Sequence, residues 1–165
     1  MSAVIKTTTP FVLETALFQA LIKLGYEPKY ITVKNIRDFQ GNNSVKCGDI
    51  VTNRVDYNGH QHFRKQGELW VLRHDADQYN ARVLGLKHYK KVADFLSELE
   101  QEYLCEYERH LAELAEIERK EIEEQRKARV EATRQQAIAK AQAQGYTVKE
   151  KHINGKIQLV CIRHI

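Results

Sequence analysis

The chain has 165 residues, 42% of them hydrophobic, and a formal net charge of +4, which suits one domain with a core of its own and room for an appendage. Its start lacks the basic flank and apolar run of a secretory signal, and no stretch approaches the roughly eighteen apolar residues of a membrane span, so a soluble protein of the cytoplasm, with no membrane partner, is expected. Three scattered cysteines, Cys47, Cys105 and Cys161, without C-x-x-C spacing, argue against a disulfide framework or a zinc site and predict buried or idle thiols in a reducing compartment.

Ala3 to Thr9 is short, β-branched and alternating, the pattern of a first strand. Thr9-Pro10 then offers an N-cap and a first-turn proline, Leu13, Leu17, Ala20, Leu21 and Leu24 recur at helical spacing, and Gly25 supplies the stop. Lys29 to Arg37 alternates as a strand, followed by a loop over Asp38 to Ser44. Cys47 to Tyr57 and His60 to Lys65 flank Asn58-Gly59, the dipeptide preferred by a type I′ hairpin. Gln66-Gly67 turns the chain into Glu68 to Leu72, completing an antiparallel meander, and His74 to Gly85 reads as a polar connecting loop.

From Leu86 to Gln144 there are 59 residues without Gly, Pro or Asn, rich in good helix formers. An unbroken helix of about fifty residues would run roughly 75 Å. Its apolar seam is Leu96, Leu99, Tyr103, Leu104, Tyr107, Leu111, Leu114 and Ile117, spaced in threes and fours as in a coiled coil. Pairs such as Glu116–Lys120 and Glu123–Lys127 add modest support. Gly145 ends the helix, and Tyr146 to His152 and Lys156 to Ile165 form a second hairpin about Asn154-Gly155. Two strands alone are marginal in water, so this hairpin is expected to join the first sheet or another copy of the chain.

The sequence thus predicts an α+β fold. A basic α/β head (1–91) carries a small antiparallel sheet of ferredoxin-like type and one N-terminal helix. A long amphipathic helix or helical hairpin (92–144) follows, and then a β-hairpin (145–165) that completes a sheet. A repeated helix–Gly-Tyr–strand grammar at Gly25-Tyr26 and Gly145-Tyr146 is what a split β-α-β arrangement needs. Charge follows the same division. The head has fourteen Lys and Arg against eight Asp and Glu, a net +6; residues 92–124 have three against twelve, a net −9. Residues 125–144 have five against one, +4, and residues 145–165 four against one, +3.

Several of these features together resemble a known family. They are Leu24-Gly25-Tyr26, Asn58-Gly59 with Phe63-Arg64-Lys65, Leu69-Trp70-Val71-Leu72 running toward Asp75, Gln101 and Tyr103, and Gly145-Tyr146-Thr147-Val148 with Asn154-Gly155-Lys156-Ile157-Gln158-Leu159-Val160. The family is that of small conserved proteins encoded in cyanobacterial and plastid genomes, the plastid reading frame numbered thirty-five, a domain of unknown function. The likeness covers roughly two thirds of the chain and brings no catalytic residue, cofactor or substrate; it implies a cytoplasmic or plastid-stromal setting. It also implies that about four heptads between Tyr103 and Gly145 are an insertion, and that the C-terminal hairpin joins the head's sheet. The inserted stretch must then fold back on itself, or stay straight and deliver the hairpin to a second subunit.

No phosphate-binding glycine loop, nucleophile elbow or zinc-protease helix is present, and the acidic run from Glu98 to Glu108 reads as a solvated helix face. A non-enzymatic protein without cofactor is expected. His60 and His62 would share a strand face, but no third metal ligand follows from spacing, and both read as solvent-facing. Two binding functions follow. The seam predicts self-association, as a homodimer, or capture of a helical protein partner. The basic head, with Lys87, Lys90 and Lys91 bunched before the helix and Tyr30, Phe39, Tyr57 and Phe63 on candidate strands, is the alternative, an RNA or single-stranded nucleic-acid surface.

Overall fold

The computed structural model describes residues 4–39, 44–84 and 89–163. In chain order these form β1 (Ile5–Thr8), α1 (Glu14–Lys23), β2 (Lys29–Tyr30), a 3-10 turn (Ile36–Phe39), β3 (Ile50–Asp56), β4 (Gly59–Gln66) and β5 (Leu69–His74). After these come α2 (Asp77–Leu84), α3 (Val92–Ala143), β6 (Tyr146–Ile153) and β7 (Lys156–Arg163). The chain divides into two compact units, Met1–Ala112 and Glu113–Ile165.

The first unit is built on a five-stranded antiparallel sheet in the order β1-β5-β4-β3-β2. That order is a meander extended by β1 rather than the expected split β-α-β pairing. Its register places Ile50, Phe63, Leu72 and Thr7 opposite one another across four strands. With Trp70, the three apolar members of that row form the sheet's half of the core. α1 adds Leu17 and Leu21, α3 adds Phe95 and Leu99, and Phe11 sits between them with its ring 6.1 Å from that of Phe63.

Four local expectations are corrected. The helix begins at Glu14, not at Thr9-Pro10, because the Thr9 hydroxyl donates to the Trp70 carbonyl and Trp70 N–H donates to the Phe11 carbonyl, which prolongs pairing beside β5. The alternation over Lys29 to Arg37 gives only two strand residues. Asn35 Oδ1 accepts from Thr32 N–H at 2.7 Å and its Nδ2 donates to Tyr30 O, a local turn that competes with the ladder. The first hairpin turns at Tyr57-Asn58, with Asp56 opposite Gly59 and Gly59 at φ 121°; neither turn residue takes the positive φ a type I′ turn requires. Part of the supposed loop from His74 to Gly85 is the helix α2; Gly85 lies outside the described residues.

Gly25 ends α1 as expected. At φ 78° it donates to Ile22 O while Tyr26 N–H reaches back to Leu21 O, the paired bonds of a Schellman motif. At the helix entrance no capping side chain acts on the backbone. Instead Tyr103 of α3 holds its hydroxyl against Val12 N–H (3.0 Å) and Leu13 N–H (2.9 Å). Tyr103→Phe keeps the packing and deletes this acceptor, so urea denaturation should show a loss of about 1–2 kcal/mol; an unchanged midpoint would mean water serves those two donors equally well.

α3 is continuous, so the chain does not fold back within it. In the first unit Val92, Phe95, Leu99 and Tyr103 are buried on one helical face. The face continues into Glu106, which is 2% exposed and ion-paired to Lys23 (2.5 Å) and Arg109; Lys23 also meets Glu102 at 2.9 Å. The Lys23 ammonium is accordingly held above its ordinary pKa, first by Glu106 and then by Glu102.

In the second unit the hairpin turns through Asn154 (φ 51°) and Gly155 (φ 73°), both positive as a type I′ turn demands. It forms its own two-stranded sheet and does not extend the head's sheet in this chain. The support a lone hairpin needs comes from the end of α3. Arg134 pairs with Glu150, and Val130, Ala137, Ile157 and Leu159 line a shallow groove between helix and hairpin.

Candidate functional site

The expected partner-binding seam divides in two. Leu99 and Tyr103 are buried and Leu96 packs partly against the head core, so these three hold α3 to the sheet and are not open to a partner. Leu104 (52% exposed), Tyr107 (36%) and Leu111 (48%) stay exposed in the first unit, as do Leu114 (49%) and Ile117 (53%) in the second. Helical spacing sets Leu104, Tyr107, Leu111 and Leu114 beside the buried face rather than on it. Tyr107 stacks on the Tyr103 ring at 6.0 Å.

Of the expected nucleic-acid contacts, Lys87 lies outside the described residues. Lys90 is held by Glu98 at 2.5 Å, and Lys91 is exposed. The proposed stacking rings do not assemble either. Phe63 is in the core, Phe39 packs edge-on to His60, Tyr30 stacks at 4.5 Å on Phe18, and only Tyr57 is largely exposed.

The densest chemistry in the head is a buried polar network that spacing alone did not disclose. It sits where the β3–β4 turn meets the end of β5 and the start of α2, and it joins Asp56, Asn58, Gln61, Asp75 and Asn80, each under 10% exposed. Asp56 accepts from Gln61 Nε2 (2.6 Å), Asn80 Nδ2 (3.0 Å) and Asp75 N–H (2.7 Å). Asp75 in turn accepts from Asn58 N–H and Nδ2 at 2.8 and 2.9 Å, and Asn80 Oδ1 accepts from Tyr57 N–H. This explains the displaced turn: Asn58 is spent on Asp75 and cannot serve as the left-handed corner.

The network continues to α3. Tyr89 donates to Asp77 Oδ1 at 2.9 Å, and the same oxygen accepts from Val92 N–H, capping the long helix from a distant segment. Arg54 donates to Gln61 Oε1 and to Lys90 O and lies 4.4 Å over the Phe95 ring. Burial, the largest influence, raises the Asp56 carboxyl above its ordinary pKa against the lowering effect of its hydrogen bonds, and it pushes the Tyr89 hydroxyl up to about 12. Both Asp56 oxygens already accept protein donors, so the arrangement pins α2 and α3 to the sheet rather than presenting a reactive carboxylate.

His62 is fully buried, not solvent-facing, and burial lowers its pKa. Among the described residues no group of three His, Cys, Asp or Glu is placed to hold a metal ion. All three cysteines are exposed and free, so of the two expected states, buried or idle, burial does not apply. No described helix is long and apolar enough to cross a membrane. No family model, curated protein or solved structure matches the chain, so the likeness to the plastid reading-frame family rests on the residues quoted above alone.

Proposed function

We propose that the protein is a non-enzymatic interaction protein that self-associates through α3 as a coiled-coil homodimer. The observation that carries this reading is the exposed run Leu104, Tyr107, Leu111, Leu114. Large side chains recur at coiled-coil spacing on a helix whose neighbouring face is already buried in the head. An apolar stripe of this kind favours a covering helix. Charge supports a second copy running antiparallel as that cover: the −9 of residues 92–124 would face the +4 of residues 125–144. In this reading a split, ferredoxin-like sheet would arise only between copies, by addition of β6–β7 to an open edge of the head's sheet.

Light scattering on a sizing column is expected to give twice the 19.2 kDa chain mass. Leu111→Glu is expected to return the monomer mass, because it sets a charge in a dimer seam at a cost of several kcal/mol. A wild-type monomer at tens of micromolar, or a variant that keeps the dimer mass, would remove the seam from consideration. The alternative, nucleic-acid binding through the basic head, has less support, since Glu98 already occupies Lys90. Affinity that does not fall with salt would dismiss phosphate contacts.

A further inference from the structure

The sheet face turned away from the Phe63–Leu72 core carries a row of residues set directly opposite one another: Lys6, Arg73, His62, Val51 and Lys29, one from each strand. Arg64 lies two residues along β4 from His62, so it shares that face. Its charge is answered. Asp49 accepts from Arg64 Nε at 2.8 Å and Nη2 at 2.5 Å, and from Lys46 N–H at 2.7 Å. His62 Nδ1 donates to His60 O at 3.2 Å; its Nε2 has no hydrogen bond and lies 3.6 Å from Asp49 Oδ2.

Arg73 is different. It is partly buried, its Nε is sealed from solvent without a hydrogen-bond partner, and no described carboxylate pairs with it or with Lys6. Burial, and then the Arg64 charge, press its guanidinium below its ordinary pKa, with the Asp49 carboxylate acting against them. A buried, unused guanidinium donor is costly enough in a native protein to call for a partner. Lys6 and Arg73 stand directly opposite each other on β1 and β5, with Cβ atoms about 5 Å apart, so both side chains can reach one small anion. Arginine's planar fork suits such a group through two parallel hydrogen bonds.

We infer that Arg73 and Lys6, backed by the Asp49-neutralised Arg64, form a binding site for a single phosphate group at the β1–β5 side of the sheet face opposite the core. One phosphate is favoured over a nucleic-acid strand because Arg73 and Lys6 sit side by side on one strand pair rather than in a track along the sheet. The site is separate from the α3 stripe and does not depend on self-association.

The test follows arginine Nε–H resonances in ¹H–¹⁵N spectra of the full chain, with sodium phosphate titrated against sodium chloride at matched ionic strength. The Arg73 signal, assigned by its disappearance in Arg73→Lys, is expected to move saturably with phosphate alone, and Lys6→Gln to weaken that response about tenfold. No saturable movement up to about 10 mM phosphate, or an equal movement in chloride, would overturn the site. A short oligouridine that displaces phosphate far more tightly, with steep salt dependence, would overturn the single-phosphate assignment in favour of a strand.

Discussion

Phe95→Ala should destabilise the head by about 3–5 kcal/mol, the range for removing a large buried aromatic. Phe95 is fully buried where three elements meet. Its ring stands edge-on to Tyr26 at 4.7 Å, lies 6.4 Å from Phe63, and supports the Arg54 guanidinium on its face. The truncation therefore removes core packing and also the platform that orients Arg54 toward Gln61 and the Lys90 carbonyl. Chemical denaturation of the full chain measures the loss, and Phe95→Leu, closer in volume, should recover most of it. A loss below about 1 kcal/mol would mean the first turns of α3 are not part of the head core, contrary to the packing described above.

Asp56→Ala is expected to have a comparable effect through a different mechanism. It leaves the donors on Gln61, Asn80 and the Asp75 backbone without their acceptor, at about 1–3 kcal/mol for each that water does not reach. A total near 3 kcal/mol or more is expected. The loss should depend on pH in a specific sense. Burial raises the folded pKa of Asp56 above its unfolded value, so the folded state holds the proton more tightly. Its contribution is greatest below the unfolded pKa and is lost as pH rises through the folded one. The variant should therefore trail the parent by more at pH 4 than at pH 7. A gap that widens toward neutrality would show that hydrogen bonds to the ionised carboxylate, not its desolvation, dominate.

Much of the fold was legible because local and global preferences agree there. The 59-residue run without Gly, Pro or Asn became α3, Gly25 took the left-handed conformation at the end of α1, and Asn154-Gly155 made the turn its chemistry prescribes. The misreadings fall where a distant partner claims a local signal. Thr9 looked like a cap until the Trp70 carbonyl took its hydroxyl. Asn58 looked like a turn corner until the Asp75 carboxylate took its two donors. The supposed loop after His74 is ordered by Asp77 and Asn80, whose partners come from β3, Tyr57, Tyr89 and the start of α3.

The candidate seam was only half readable for a related reason. Periodicity locates apolar positions on a helix but does not distinguish those the head already covers from those left open. Leu99 and Leu111 are the same residue type in the same pattern, yet one is fully buried and the other about half exposed. The buried polar network gave no periodic sign at all, since inward-facing Asp, Asn and Gln look like surface residues until the neighbouring strand is known.

The described side chains of α3 that share the head's interior end at Glu106, near the close of its fourth turn. A gene fragment stopped at residue 91 would therefore discard the inner wall of the head, whereas one stopped at 112 would retain it. Beyond that point no described α3 side chain enters the head's core, so adding or removing whole turns there is expected to leave the head's stability unchanged.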